Sequence, residues 1–264
     1  MPVITLTTEW KPNDFYYGII RGKLSARCPD ATVIVNAGGI PALNIAHASF
    51  VIRNTYENYP KGSVHIICVH SEAEKGKDCL LVRARDHFFI GTDNGIFNLI
   101  LNSEPDEMIK IGGNGSTDEL EIFASAAANV YLGKKLSEIG TPVKEMEEKL
   151  PLRATIEKNL ITGSIIFIDS YGNAISNITK EVFYRVFGDT GFRILIQSNR
   201  NHTGRISSKY SDVPVGELLA RFNQLDLLEI ALNGANVSEL LSISIGSVVR
   251  IEAPNKPGSP NRLL

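Results

Sequence analysis

The N-terminal half of the sequence alternates short apolar runs with longer segments of mixed polarity, an order typical of a layered α/β fold. The apolar runs predict strands at residues 3–8, 32–36, 63–69, 79–82 and 88–91, and the longer segments predict helices at 15–27, 43–58 and 119–132. Ligands of such folds bind beyond the carboxyl ends of the strands. Polar residues that follow these apolar runs are therefore candidates for a binding site.

The sequence changes character after a charge-rich stretch at residues 144–158, which we interpret as a linker. Short β-like runs then follow at residues 164–168, 193–197, 218–222, 227–231 and 247–251, and Gly and Asn turns separate them. This spacing is typical of a small barrel or sandwich. We predict an α/β domain over residues 1–150, followed by a smaller all-β, barrel-like domain over residues 151–264.

Composition excludes several classes of protein. The chain has 264 residues, a formal net charge of −2 and three cysteines. A charge so close to zero offers no basic surface to nucleic acid or to an anionic membrane. The odd cysteine count argues against a disulfide framework. We find no signal peptide and no apolar run near the roughly 20 residues that a membrane helix needs, so we expect a cytoplasmic protein.

Three polar turns follow predicted strands. The richest begins after residue 168 and reads Asp169-Ser170-Tyr171-Gly172-Asn173, with Asn177 shortly beyond. The first strand is followed by Glu9 and by Asn13-Asp14-Phe15, and the fifth by Asp93-Asn94-Gly95. Short carboxylate and amide side chains can hold a small polar ligand by directional hydrogen bonds. The same residues also favour turns for backbone reasons alone, so this alternative stays open.

In this order, the three turns resemble the S-adenosylmethionine hydroxide adenosyltransferase family, whose relatives include fluorinating and chlorinating enzymes. The resemblance extends over essentially the whole chain. It implies hydrolysis of S-adenosylmethionine to adenosine and methionine, by attack of water at the ribose 5′ carbon, without a cofactor. It also implies a homotrimer with its sites at subunit interfaces.

The resemblance further implies a set of substrate-binding residues: Glu9, Asp14, Asn94, Asp169, Tyr171 and Asn173. Glu9 matches the family's ribose-binding aspartate, although a surface acid after a strand is an equal interpretation. Asp14 matches a second acid of the family, but we expect it to cap the following helix.

The pieces that carry the chemistry depart from the family. Where the family has Asp-Pro-Gly-Val-Gly, this chain has His70-Ser71-Glu72-Ala73-Glu74. Counting without gaps puts the family's arginine on Lys77 and its histidine on Asp118. One interpretation is an exchange, in which His70 is the base, Asp118 orients it and Lys77 gives electrostatic support. The other is a decayed site that no longer turns over.

The segment His65-x-x-Cys68-x-His70 invites comparison with a metal site. Alternation along a strand puts only Cys68 and His70 on one face, which is too few ligands, so we predict no metal. Three functions remain open: a hydrolase, a module that binds S-adenosylmethionine or adenosine without turnover, and a scaffold that keeps only the fold.

Overall fold

The computed structural model describes residues 1–72, 77–101, 103–112, 118–188 and 190–254. The chain divides into two compact units, Met1–Pro151 and a second that starts at Leu152. The elements of the first unit are, in chain order, β1 Ile4–Thr8, α1 Phe15–Arg27, β2 Val33–Ala37, α2 Ile45–Arg53, β3 Val64–Cys68, β4 Cys79–Ala84, β5 His87–Thr92, α3 Ile96–Leu101, β6 Glu107–Ile111, α4 Glu119–Tyr131, α5 Leu136–Ile139 and β7 Thr141–Pro142.

The elements of the second unit are β8 Thr155–Glu157, β9 Leu160–Ile168, β10 Ala174–Thr179, α6 Lys180–Phe187, β11 Arg193–Ile196, β12 Ser198–Thr203, β13 Leu218–Phe222, β14 Leu227–Leu232, α7 Val237–Leu240 and β15 Val248–Glu252. Single 3₁₀ turns occur at Tyr56–Asn58 and Tyr210–Asp212.

The first unit is a three-layer α/β structure around one mixed sheet. Its strand order is β2-β1-β3-β5-β4-β6-β7. Strands β2, β1, β3 and β5 run parallel, whereas β4 is antiparallel to both of its neighbours. Helices α1 and α4 cover one face and α2 and α3 the other, and buried aliphatic and aromatic side chains fill both layers. The predicted α/β domain is confirmed.

The second unit is built on an antiparallel, barrel-like sheet with the order β12-β11-β15-β9-β10-β14-β13, to which β8 adds beside β9. Its core holds apolar side chains from all of the longer strands. The predicted β domain is confirmed, with one addition. Helix α6 was not predicted, because we interpreted residues 180–187 as part of a connection between strands. Phe183 and Phe187 bury its apolar face.

Most predicted elements of the first unit lie within two residues of the observed ones, and α1 has the predicted bounds. Helix α2 was predicted too long. It ends at Arg53, and the chain continues through Asn54 into a separate 3₁₀ turn. Helix α3 and strand β6 were not predicted. Part of the predicted linker packs on the first unit, where the backbone N–H of Glu147 donates to Asp93 Oδ1 at 2.9 Å.

Candidate functional site

The carboxyl ends of three neighbouring parallel strands bring candidate residues together at one edge of the first sheet. Strands β1, β3 and β5 end at Thr8, Cys68 and Thr92, respectively. Glu9, His70 and Asn94 follow these ends and are joined by hydrogen bonds. The edge is where α/β sheets of this kind bind their ligands.

Glu9 holds two loops at this edge through one carboxylate oxygen. Its Oε1 accepts the backbone N–H of His70 at 2.9 Å and that of Leu43 at 2.5 Å. Both donors have left-handed backbone conformations, with φ of 48° at His70 and 60° at Leu43. Such conformations cost free energy in residues other than glycine, so the carboxylate stabilises two strained loops at once.

Asn94 braces the same turn from the other side. Its side chain is buried, and its Nδ2 donates to the carbonyl oxygens of His70 at 2.9 Å and Val69 at 3.3 Å. Its Oδ1 accepts the backbone N–H of Ile96 at 3.2 Å. Gly95 follows with φ of 89°, a conformation that glycine adopts without strain. Most of the bonding capacity of the Asn94 amide is therefore used within the protein.

His70 is half-buried, and both its N–H and its C=O are held by neighbouring strands' loops. Lys77 is also half-buried, and residues 73–76 between them, with the quoted Ala73 and Glu74, lie outside the described residues. The charge of Lys77 acts on Asp93. Burial raises the pKa of Asp93, although the N–H of Glu147 and the charge of Lys77 oppose the rise. Asp93 therefore retains its proton to higher pH than an exposed aspartate does.

Asp118 begins helix α4 and caps it. Its Oδ1 accepts the backbone N–H groups of Leu120 at 3.0 Å and Glu121 at 3.3 Å, and its Oδ2 lies 3.2 Å from Lys23 Nζ. Burial would raise the pKa of Asp118, but the hydrogen bond from Lys23 and the backbone donors lower it on balance. The carboxylate thus has a structural role at the helix start. Its predicted role in orienting His70 stays a prediction.

Asp14 stands at the first position before α1, with the extended backbone expected of a cap. Its side chain makes no capping hydrogen bond within the described first turn of the helix. The expected capping bond is therefore wrong. Instead, its backbone carbonyl accepts the N–H of Tyr17 at 3.2 Å, a bond that needs no particular side chain. The Asp14 carboxylate keeps its predicted role in substrate binding as an untested prediction.

In the second unit, Asp169 organises the turn between β9 and β10. Its Oδ1 accepts the backbone N–H groups of Tyr171 and Asn173, both at 2.9 Å, and its Oδ2 accepts Asn173 Nδ2 at 3.0 Å. Gly172 has φ of 80°, and a Cβ at this position would collide with the side chain of Asn236. The Asx turn that we left open as an alternative is thus present. Binding of a ligand at this turn remains a prediction.

The structure also places three residues beside this turn that sequence reasoning missed. The hydroxyl of Tyr210 donates to Glu229 Oε1 at 2.6 Å, and Asn173 Nδ2 lies 3.5 Å from the Tyr210 oxygen. The guanidinium carbon of Arg221 is 4.8 Å from the centre of the Tyr210 ring. Burial and the bond to Glu229 raise the pKa of Tyr210 to about 12. An acid inside the apolar run of residues 227–231 was the available signal.

Metal binding has no support in the part of the chain that the structure describes, since no group of three His, Cys, Asp or Glu residues there could hold an ion. His65 bonds instead to Thr5, at 2.8 Å between Nδ1 and Oγ1, and to His87, at 3.1 Å between Nε2 and Nδ1. None of the helices in that part of the chain is both long and apolar enough to cross a membrane.

The fold and its two polar turns define a two-domain protein, in which an α/β unit precedes a barrel-like β unit. Family models of the S-adenosylmethionine hydroxide adenosyltransferase N-terminal and C-terminal domains match residues 4–140 and 163–250, respectively. Together these matches cover most of the chain. The protein belongs to the S-adenosylmethionine hydroxide adenosyltransferase family.

Similar proteins extend over nearly the whole chain. Proteins named (R)-S-adenosyl-L-methionine hydrolase from Thermus thermophilus and Methanocaldococcus jannaschii are each 23% identical to it. The alignments cover 95% of this chain and 100% of the first protein, and 92% of this chain and 93% of the second. A crystal structure of an uncharacterized conserved protein from Thermotoga maritima superposes with a TM-score of 0.85 at 22% identity, covering 94% of this chain and 99% of that one. This likeness concerns the fold.

Proposed function

We propose that this protein hydrolyses S-adenosylmethionine to adenosine and methionine. The observation that carries the proposal is the match of both family domains, in order, to residues 4–140 and 163–250. Similar proteins named (R)-S-adenosyl-L-methionine hydrolase support the same activity, because each aligns over more than nine-tenths of this chain.

The chemistry asks little of the protein. A water oxygen attacks the ribose 5′ carbon, the C–S electron pair goes to sulfur, and methionine leaves as a neutral thioether. The leaving group therefore needs no general acid and no cofactor. The protein has to place the water in line with the C–S bond, limit the cost of desolvation and accept one proton.

We assign the proton to His70, because its loop lies at the binding edge of the sheet and its backbone is held on both sides. Lys77 supplies positive charge near the same edge, since it acts on Asp93. In this proposal Asp118 orients the His70 imidazole, and Asp118→Asn tests that role. Substrate is held by Glu9, Asp14 and Asn94 in the first unit, and by the turn Asp169, Tyr171 and Asn173 in the second.

One observation favours a second candidate function, binding of S-adenosylmethionine or adenosine without turnover. Glu9, Asn94 and Asp118 all use side-chain oxygens to accept backbone N–H groups of the protein itself. Side chains committed in this way stabilise a pocket but have fewer sites left for the reacting water. A protein that kept the pocket and lost the reaction would have the same contacts.

The deciding experiment is incubation of the purified protein with S-adenosylmethionine, with adenosine and methionine quantified by chromatography. Equal release of both products above a protein-free control is expected. His70→Ala should abolish release and leave calorimetric binding nearly unchanged, whereas His202→Ala, at an exposed strand position, is the matched control. Binding without release would favour the second function. Neither binding nor release would leave only a scaffold.

The homotrimer, with its sites at subunit interfaces, and the cytoplasmic location are part of the same proposal. Neither nucleic acid nor a membrane is expected as a partner, and the net charge of −2 agrees with this. Sedimentation equilibrium of the purified chain tests the trimer, and a monomer at micromolar concentration would contradict it.

A further inference from the structure

A chain of polar side chains in the second unit ends on the turn that we assign to substrate binding. Asn173 is buried, and its Nδ2 donates to Asp169 Oδ2 at 3.0 Å and lies 3.5 Å from the hydroxyl oxygen of Tyr210. The Tyr210 proton is directed to Glu229 Oε1, 2.6 Å away. The oxygen of Tyr210 therefore turns its lone pairs toward the Asn173 amide, and only the nitrogen end of that amide suits this contact.

The contacts of the amide nitrogen fix the orientation of the Asn173 side chain. Two acceptors, Asp169 Oδ2 and the Tyr210 oxygen, stand on the nitrogen side. Within the described residues, no hydrogen bond to Asn173 Oδ1 is recorded. A reversed amide would set its oxygen against a carboxylate, which is repulsive. The carbonyl oxygen is thus left as the acceptor available at this turn.

Glu229 makes sense as part of this arrangement. It is 4% exposed, in the middle of β14, where an apolar residue would fill the space without the cost of burying a carboxylate. It stands opposite Arg221 in the register of β13 and β14, and the Arg221 guanidinium lies over the Tyr210 ring. The cation and the tyrosine donor offset the buried charge. Together they hold the Tyr210 hydroxyl in one orientation.

We propose that Tyr210 and Glu229 are positioning residues, which fix the Asn173 amide so that its carbonyl oxygen faces the ligand. This rests on the proposed function, because it assumes that the turn at Asp169–Asn173 binds S-adenosylmethionine. Neither residue is expected to take part in proton transfer. Their effect should therefore fall on substrate binding rather than on the rate of the chemical step.

The first test is Tyr210→Phe, with Tyr184→Phe as the matched control, since Tyr184 is a half-exposed tyrosine on α6 of the same unit. Tyr210→Phe keeps the ring under Arg221 and removes only the hydroxyl. We expect KM for S-adenosylmethionine to rise about tenfold, the effect of losing one hydrogen bond, with kcat within about twofold. The control should change neither constant. Equal KM values for the two variants would overturn the proposal.

The second measurement does not depend on activity. In protein labelled with ¹⁵N-asparagine, the side-chain NH₂ resonances of Asn173 should move in Tyr210→Phe and stay in place in Tyr184→Phe. Unmoved resonances would refute the positioning role, whatever the kinetics. If wild-type protein neither binds nor hydrolyses S-adenosylmethionine, the proposed function fails, and these resonances alone decide whether Tyr210 orients Asn173.

Should Tyr210→Phe lose its cooperative thermal transition, Glu229→Gln replaces it. A glutamine keeps an acceptor for the Tyr210 hydroxyl but removes the charge, so the bond weakens without leaving a cavity. We expect a rise in KM of about threefold, about one third of that expected for Tyr210→Phe. A KM equal to that of wild type, together with an unmoved Asn173 amide, would overturn the proposal through this variant as well.

Discussion

The two polar turns of this protein each use one carboxylate to collect backbone N–H groups, but over different distances along the chain. Asp169 bonds the N–H groups two and four residues ahead of it. Glu9 bonds those of Leu43 and His70, which are 34 and 61 residues away. The first arrangement closes a local turn, whereas the second ties three segments of a sheet edge together. The cost of removing each carboxylate should differ accordingly.

Acid should separate the two units most strongly. Burial, together with the neighbouring charge of His87, lowers the pKa of His65 to about 3. The unfolded chain binds this proton near pH 6.5, so stability from His65 is complete above that pH and is lost as the pH falls toward 3. The free energy of unfolding of the first unit should fall by about 1.4 kcal/mol per pH unit, or about 3 kcal/mol by pH 4.5.

Urea titrations between pH 7 and 4.5 measure this loss. His65→Gln should flatten the pH dependence, and His202→Gln, on an exposed strand of the second unit, should not. A wild-type slope in His65→Gln would show that another group takes up the proton.

Glu9→Ala should have the next largest effect. The substitution removes an acceptor shared by two N–H groups and releases the left-handed loops at Leu43 and His70. We expect about 2 kcal/mol of lost stability, measured in urea, together with loss of hydrolysis. Glu9→Gln keeps the acceptor oxygen and should lose less than half as much. If Glu9→Ala unfolds at the wild-type urea concentration, the carboxylate does not hold this edge.

Gly172→Ala tests the local turn. The φ of 80° and the contact with Asn236 both oppose a Cβ at this position. The expected loss is about 1.5 kcal/mol, and it should fall on the second unit alone. Gly18→Ala is a suitable control, because a Cβ there meets no atom within 4 Å and a helical alanine is favourable. A stable Gly172→Ala would indicate that the turn can rearrange.

Asp169→Ala should have the smallest effect on stability, about 1 kcal/mol, because it removes bonds within a single turn that water can partly replace. Its effect on binding should be larger. Affinity for S-adenosylmethionine, measured by calorimetry, should fall by about 1–3 kcal/mol. Unchanged affinity would refute the assignment of this turn to the substrate.

The contrast between the two carboxylates also explains how far the sequence could be interpreted. The Asp169 turn was foreseen as an alternative, because an Asx turn depends on residues within four positions. Helix α1 was predicted with its observed bounds, since its apolar spacing is local too. The joint role of Glu9 and Asn94 could not be foreseen, because it arises where β1, β3 and β5 lie side by side.

Two further residues show the same limit. Asp118 was predicted to face the catalytic position from its place in the chain, but its cap and its contact with Lys23 depend on how α1 packs against α4. The pairing of Glu229 with Tyr210 joins residues 19 positions apart, on a strand and on a 3₁₀ turn. No short motif encodes either contact. Interactions of this kind become visible only when the register of the sheet is known.

The grip of Glu9 and Asn94 on His70 involves only main-chain atoms of His70. Any residue at position 70 can offer the same N–H and C=O, so the path of the loop is independent of the side chain that it carries. Such an edge can exchange an acid for an imidazole, or lose both, while the sheet beneath it stays intact. The fold therefore supplies a socket in which evolution can vary chemistry without first rebuilding a loop.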